Sequence, residues 1–356
     1  VGVVQGLADR AQAPVDQIEE TGTNLYGLDT LVNKNNVIMN NEISGFGYGV
    51  VSIGIGYLYW NGEYSHFKRY YNQDNIIDGN KIYDVSRAGI FLGFEENTNV
   101  AHNRIYEVSG NCGSEAAGIM AGGVYDDRYF GFNNIGLVFD GNEVSHISSS
   151  EAVYGLRVEQ VRESFSDPRF GTIFYPGKAE NFVVKNNVVW GLEPEGDAMR
   201  AGIRLFTERD PEEMTMPKEG NYFMSGSLVA NNTIVIDGEY TDNEGYLAGI
   251  SLEQNKNVTF MNNAISIQDA NANSEIAAAL LYFGLNPEDG GFVSDRNAYH
   301  MGTDNATLFR YIETDASSVI LEYGERDEFE TMDEWRNWTG LDINSVTGDF
   351  MDDHEY

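Results

Sequence analysis

Two short motifs alternate along this chain, and their alternation constrains the fold more than any other feature. The first is an apolar strand followed by Asn-x-Ile or Asn-x-Val. It appears as Val37-Ile38-Met39-Asn40-Asn41-Glu42-Ile43, Ile76-Ile77-Asp78-Gly79-Asn80-Lys81-Ile82, Val100-Ala101-His102-Asn103-Arg104-Ile105 and Leu137-Val138-Phe139-Asp140-Gly141-Asn142-Glu143-Val144. Later copies centre on Asn187, Asn232 and Asn263, with a weaker one at Asn297. The second motif is a small residue, Gly, then alternating apolar residues: Ala88-Gly89-Ile90, Ala117-Gly118-Ile119, Tyr154-Gly155-Leu156, Ala201-Gly202-Ile203 and Ala248-Gly249-Ile250. Gly49-Val50 reads as its first member and Ala279-Leu280 as a degenerate last one. The order is always Asn, then Gly.

Self-similarity of this kind is the signature of a solenoid, in which no repeat can bury its apolar face alone and each must stack on its neighbours. Each Asn-x-Ile unit reads as strand, one-residue corner, strand, with Asn tolerating the left-handed backbone of the corner and its amide bonding to the Asn of adjacent coils as a ladder. Strand alternation then stacks Ile43, Ile82, Ile105, Val144, Val189, Ile234 and Ile265 as an aliphatic column inside. Ladder asparagines lie 23 to 45 residues apart while the motif stays constant. A sandwich or propeller predicts more even spacing and hairpin turns; a solenoid with insertions at its corners accounts for the variation. The expected fold is all-β, a right-handed parallel β-helix of about seven to nine coils. Residues 1–34 form the N-terminal cap or entry segment, 35–300 the β-helix, and 301–356 a capping segment with a short helix.

On these motifs the chain resembles the right-handed parallel β-helix superfamily, which includes pectate-lyase-like lyases, polygalacturonase-like hydrolases, phage tailspikes and bacterial surface proteins. The segment Asp333-Glu334-Trp335-Arg336-Asn337-Trp338-Thr339-Gly340-Leu341-Asp342-Ile343-Asn344-Ser345 is similar to the closing segment of secreted β-helix proteins of Bacteroidetes-like bacteria, although Gly348-Asp349-Phe350 departs from the usual ending. The resemblance implies the fold and an extracellular or cell-surface location. It specifies chemistry less well.

Charge narrows the partners. The 356 residues carry 22 Lys+Arg against 56 Asp+Glu, a net charge of −34. Such a surface repels nucleic acid and anionic membranes, and no apolar run is long enough to span a bilayer. The acidity suits a marine or halophilic setting, in which salt screens self-repulsion. It also suits calcium, at low affinity, near Asp126 and Asp127 or near Glu212 and Glu213; no dedicated cofactor motif is present. Cys112 is the single cysteine, so no intrachain disulfide forms. The chain begins at Val1 with neither an initiator Met nor a signal peptide, as expected of a mature form or of a piece of something longer.

The insertions point to a face. Long loops, roughly 54–74, 122–134, 162–179 and 207–225, follow the Gly strands at 49, 118, 155 and 202, whereas the strands at 89 and 249 lead straight back to the Asn corner. Loops leaving the same corner of successive coils stand side by side as a wall. They are rich in rings, with Tyr59, Trp60, Tyr64, Tyr125, Tyr129, Phe165 and Tyr175 the candidate ligand-binding residues, accompanied by Tyr70, Tyr71 and Phe132. Rings with a polar edge suit sugar faces or a protein partner; packing the loops onto the barrel is the alternative.

The Gly strands carry the most pointed constellation. With Leu156, Val158, Ile203 and Leu205 inward, Arg157 and Arg204 become outward neighbours on coils about 4.8 Å apart, flanked by Glu159 and Glu253. The superfamily resemblance implies an anion seat, in which the arginines neutralise a uronate while Tyr154 or His146 takes the neighbouring proton. The alternative is a surface ladder of ion pairs contributing little. A carboxylate pair for glycoside hydrolysis can be drawn from Glu159, Glu208 and Glu253, but in so acidic a chain such pairs arise by chance. Of the hydrolase signatures only Asp126-Asp127 occurs, without its histidine. The expected function is therefore an extracellular or cell-surface module binding a polysaccharide or protein along its loop-walled face. A structural subunit that self-assembles through the solenoid ends and a polysaccharide lyase are the alternatives.

Overall fold

The computed structural model describes residues 3–6, 32–60, 65–110, 114–126, 130–160, 163–167, 171–175, 179–194, 199–207, 223–237, 246–268, 276–302, 307–313 and 326–349. Side chains are described for most of these, but not within 56–68, 124–131 or 163–175. The chain is a parallel β-helix. Three-residue strands, from Val37–Met39 and Ile76–Asp78 to Thr259–Met261 and Val293–Asp295, form one eight-stranded parallel sheet in chain order. The Asn and Gly strands build the other faces, fused in the first two coils as Glu42–Ile53 and Lys81–Gly93 and separate later, as in Glu143–Ser149 and Val153–Gln160. The coils are right-handed, the usual sense for parallel strands joined within one sheet. The aliphatic column stands in register, Ile43 on Ile82, Ile105, Val144, Val189, Ile234 and Ile265, and is buried. Parallel stacking of the Gly strands continues through Thr307–Glu313.

The ladder is present, but the corner differs from the sequence expectation in one respect. The left-handed residue is the one before each ladder asparagine: Asn40, Gly79, His102, Gly141, Asn186, Asn231, Asn262 and Arg296, with φ between 51° and 66°. The corner thus has two residues with separate tasks. One turns the chain and the ladder asparagine bonds it. From Asn41 through Asn80, Asn103, Asn142, Asn187, Asn232 and Asn263 to Asn297, each Nδ2 donates to the next Oδ1 at 2.9–3.1 Å. Each backbone N–H donates to the same oxygen at 2.9–3.1 Å. From Asn80 onward this satisfies interior polar groups that are buried from water.

The Gly motif has a steric cause. A Cβ at Gly49, Gly89, Gly118, Gly155, Gly202 or Gly249 would lie 2.2–2.4 Å from a side-chain methyl of Ile82, Ile105, Val144, Val189, Ile234 or Ile265, in that order. Each Gly strand nestles against the aliphatic column of the following coil, closer than any side chain permits.

The C-terminal segment adds a helix and one further rung to the stack. Helix Met332–Thr339 starts in a capping box, with Glu334 N–H donating to Thr331 Oγ1 and Thr331 N–H to Glu334 Oε2. Its Trp335 is fully buried, stacked on Phe309 with 4.8 Å between centroids. Asp342 and Ser345 then occupy the next ladder rung. Asp342 accepts from Asn297 Nδ2 (3.0 Å) and Trp335 Nε1 (2.9 Å), and Ser345 Oγ accepts from Asn297 N–H (2.8 Å). The Gly-x-Asp-x-Asn-Ser segment thus supplies the rung above Asn297, with Val346–Thr347 stacked on Ala298–Tyr299.

Candidate functional site

Three of the four expected loops are antiparallel hairpins: Ile55–Trp60 with Ser65–Tyr70, Val124–Asp126 with Phe130–Gly131, and Glu163–Asp167 with Gly171–Tyr175. Each continues from the end of a Gly strand, so all three rise from one edge of the solenoid. Phe130–Gly131 of the second lies against Glu163–Asp167 of the third. The backbone of Tyr59, Trp60, Tyr125, Phe165 and Tyr175 belongs to these hairpins, but their side chains lie outside the described residues, as do the whole of Tyr64, Tyr129 and residues 208–222. Two other rings of these insertions pack downward. Phe132 is buried against Phe91 and Phe94 above the insertion-free second coil, and Tyr71 meets Phe94 edge-on.

Below the hairpins, the outer face of the Gly sheet places Arg157 beside Arg204 and Glu159 beside Phe206, which neighbours Glu253. The residues are drawn together more tightly than strand alternation alone requires. Arg157 donates Nη1 to Glu115 Oε1 at 2.6 Å and Nη2 to Glu159. Arg204 grips Glu253 through Nε (2.7 Å) and Nη2 (3.0 Å), and its Nη1 meets the Tyr154 hydroxyl at 3.2 Å and Met199 Sδ at 3.2 Å. The Phe206 ring lies 3.8 Å under the Arg204 guanidinium and 5.2 Å from that of Arg157. Ser251 Oγ donates to Glu253 at 2.7 Å. This is neither an exposed ladder nor an open anion seat: the Arg157, Arg204 and Glu253 side chains are only 11–19% exposed, and that of Glu159 4%. At such burial the ion pairs are short-range and weakly screened, and removal of either partner strands a charge. Burial pushes the Tyr154 phenol up from its ordinary value despite both arginines. His146 sits on the Asn strand Glu143–Ser149, at an exposed bend with φ 53°.

Glu115 and Met199 were not singled out from sequence. Glu115 precedes the inward Ala116, and because Ala117 and Met120 are both outward, the two-residue phase slips at Gly118 and alternation counted back from Met120 misses Glu115; Met199 sits one coil beyond Ala152, which neighbours Glu115. Neither carried a motif.

Buried carboxylates also hold the hairpin roots. A Cβ at Gly122 would lie 2.0 Å from the Glu159 carbonyl, and one at Gly123 3.4 Å from Glu159 Oε2, so Glu159 sits where the second and third hairpins depart. Glu95, fully buried, clamps the first. Its Oε1 accepts from Ser52 Oγ, just before the hairpin, and from Asn72 Nδ2, just after it, both at 2.6 Å. Its Oε2 accepts from Thr98 Oγ1 (2.5 Å) and Asn75 Nδ2 (3.2 Å). Burial pushes the Glu95 carboxyl up from its ordinary value, the four hydrogen bonds opposing. A folded value above the unfolded one means that this group's contribution to stability is complete below the unfolded value and is lost as pH rises through the folded one. Glu95→Gln does not titrate, so its stability relative to wild type is expected to climb with pH across that window. Urea melts from about pH 4 to 8 showing a constant difference between the two proteins would contradict this.

Among the described residues no three His, Cys, Asp or Glu side chains are grouped to hold a metal ion. The side chain of Asp126, and Asp127, Glu212 and Glu213 entirely, lie outside them. No described helix is long and apolar enough to cross a membrane.

No protein-family model matches the sequence, and no curated protein matches it. Several solved structures are similar, among them two right-handed parallel β-helix proteins. One is DFA-IIIase from Arthrobacter chlorophenolicus in complex with DFA-III, at 13% identity, covering 79% of this chain and 63% of that one, TM-score 0.33. The other is the tailspike protein of E. coli bacteriophage HK620 in complex with a pentasaccharide, at 12% identity, covering 75% and 44%, TM-score 0.36. The likeness is one of fold. In both cases the match takes in less than two thirds of the other protein.

Proposed function

We propose that this protein is a β-helix acting outside the cell or at its surface, binding a polysaccharide along the hairpin-bearing edge. The observation that carries this reading is the set of three hairpins on one edge above the Arg157–Arg204–Phe206 floor. Binding residues concentrate on loops carried by a rigid scaffold, and a wall beside a groove of stacked coils suits an extended chain. Excising residues 163–175, with 161–178 replaced by a short Gly-Ser link, is expected to weaken polysaccharide binding at least about tenfold in calorimetry or on a glycan array. Unchanged affinity would remove the reading.

A lyase reading has less behind it. Carboxylates already hold both guanidiniums, and a phenol pushed upward by burial is a poor base near neutral pH. The expected result is no unsaturated-uronate absorbance with any uronate polymer.

Self-association has one observation in its favour. Among the described residues the ladder runs from Asn41 to the Asp342 and Ser345 rung, and at the Asn41 end Val37 (55%), Met39 (43%) and Phe46 (41%) are exposed, although Val3–Gly6 already stacks on the first Gly strand. An apolar patch there suits a pair of chains meeting at these faces. Sedimentation as a strict monomer at high concentration and high salt would dismiss it.

A further inference from the structure

We infer that the polymer bound over this floor is uncharged, a neutral polysaccharide rather than a polyuronate. The inference rests on the binding reading above and concerns the ligand class of the same site. The floor carries three carboxylates, Glu115, Glu159 and Glu253, against two guanidiniums, and both guanidiniums are spent on them. The same outward column continues through Ser251 and Leu281 to Arg310, whose Nη2 lies 2.6 Å from Glu328 Oε1. Every arginine of the column thus has a carboxylate of its own.

An anionic ligand must displace one of these carboxylates to reach an arginine, leaving a largely buried glutamate without its cation, which is the expensive way to break an enclosed pair. The long-range field adds to this, since a net charge of −34 slows the approach of a polyanion at low salt. A neutral polyol has neither difficulty. Its hydroxyls carry no charge to compete with the carboxylates for the guanidiniums, so the ion pairs stay intact beneath it. The mixed donor and acceptor edges of an Arg–Glu pair match vicinal hydroxyls, which both donate and accept.

Calorimetry with the full chain would compare neutral polymers (glucans, galactans, xylans, fructans) with polyuronates (polygalacturonate, alginate) at low and high salt. At least one neutral polymer is expected to bind, with affinity changing less than about threefold with salt, and polyuronates at least about a hundredfold more weakly at low salt. Glu253→Gln releases Arg204 from its partner and is expected to raise polyuronate affinity about tenfold. Glu115→Gln, at the rim, does the same for Arg157 and keeps the test open should the first variant fail to fold. Polyuronate binding the wild type more tightly than any neutral polymer overturns the inference and leaves the binding reading standing. So does the absence of a polyuronate gain in folded variants. No binding by either class removes the binding reading, and the inference falls with it.

Discussion

Asn187→Ala is expected to lower the free energy of unfolding by about 3–5 kcal/mol, from the loss of several buried hydrogen bonds at once. Asn187 Oδ1 accepts from Asn142 N–H and Nδ2, at 3.0 Å each, and its own Nδ2 bonds Asn232 Oδ1 and the Phe139 carbonyl, also at 3.0 Å. Alanine strands two donors and a carbonyl, all enclosed between coils. Asn41→Ala removes the same chemistry at the exposed start of the ladder, where water takes over, and is expected to cost about 1 kcal/mol or less. Urea melts of the two variants decide the matter. Equal losses would mean that the ladder's value lies in corner geometry and not in satisfying buried groups.

Gly155→Val is expected to be at least as damaging, about 4 kcal/mol or more, because overpacking here meets backbone as well as side chain. A Cβ would lie 2.3 Å from Val189 Cγ1 and 2.5 Å from the Gly202 carbonyl oxygen. Trimming the neighbour with Val189→Ala recovers only part of the loss, since the carbonyl cannot retreat without moving the next coil. Gly47 provides the contrast, with nothing within 4 Å of its Cβ position and no positive φ. Gly47→Ala is expected to be neutral or to stabilise by a few tenths up to about 1 kcal/mol through the unfolded chain. A loss at Gly47 comparable to that at Gly155 would refute the close-approach account. Chemical denaturation with matched slopes is the measurement.

Both predictions bear on how much could be read in advance. The ladder asparagines, the aliphatic column and the recurring glycines are one-dimensional signals, because a solenoid repeats its environment every coil and so repeats its residue choices. The left-handed residue escaped that reading because the position tolerates Asn, Gly, His and Arg alike, leaving no consensus. The expected loops became hairpins for a similar reason: a hairpin inserted outside the repeat shares none of the column's recurring residues to reveal it.

The site divides along the same line. Residue alternation by itself determined that Arg157 stands beside Arg204 and that Leu156, Val158, Ile203 and Leu205 face inward, since the two-residue period of a strand is a local property. Only the tertiary structure decided that Glu115 reaches Arg157 from the coil before, that Phe206 lies beneath both guanidiniums, and that Glu95 joins the two ends of the first hairpin. Apart from Phe206 with Arg204, those contacts join residues 23 to 49 positions apart, and the lengths of the inserted segments place them. Burial sets the character of the pairs as well. One line of sequence, Arg and Glu on alternate positions, describes an exposed ladder and an enclosed ionic floor equally, and what separates them is the dielectric in which the rest of the chain encloses the charges.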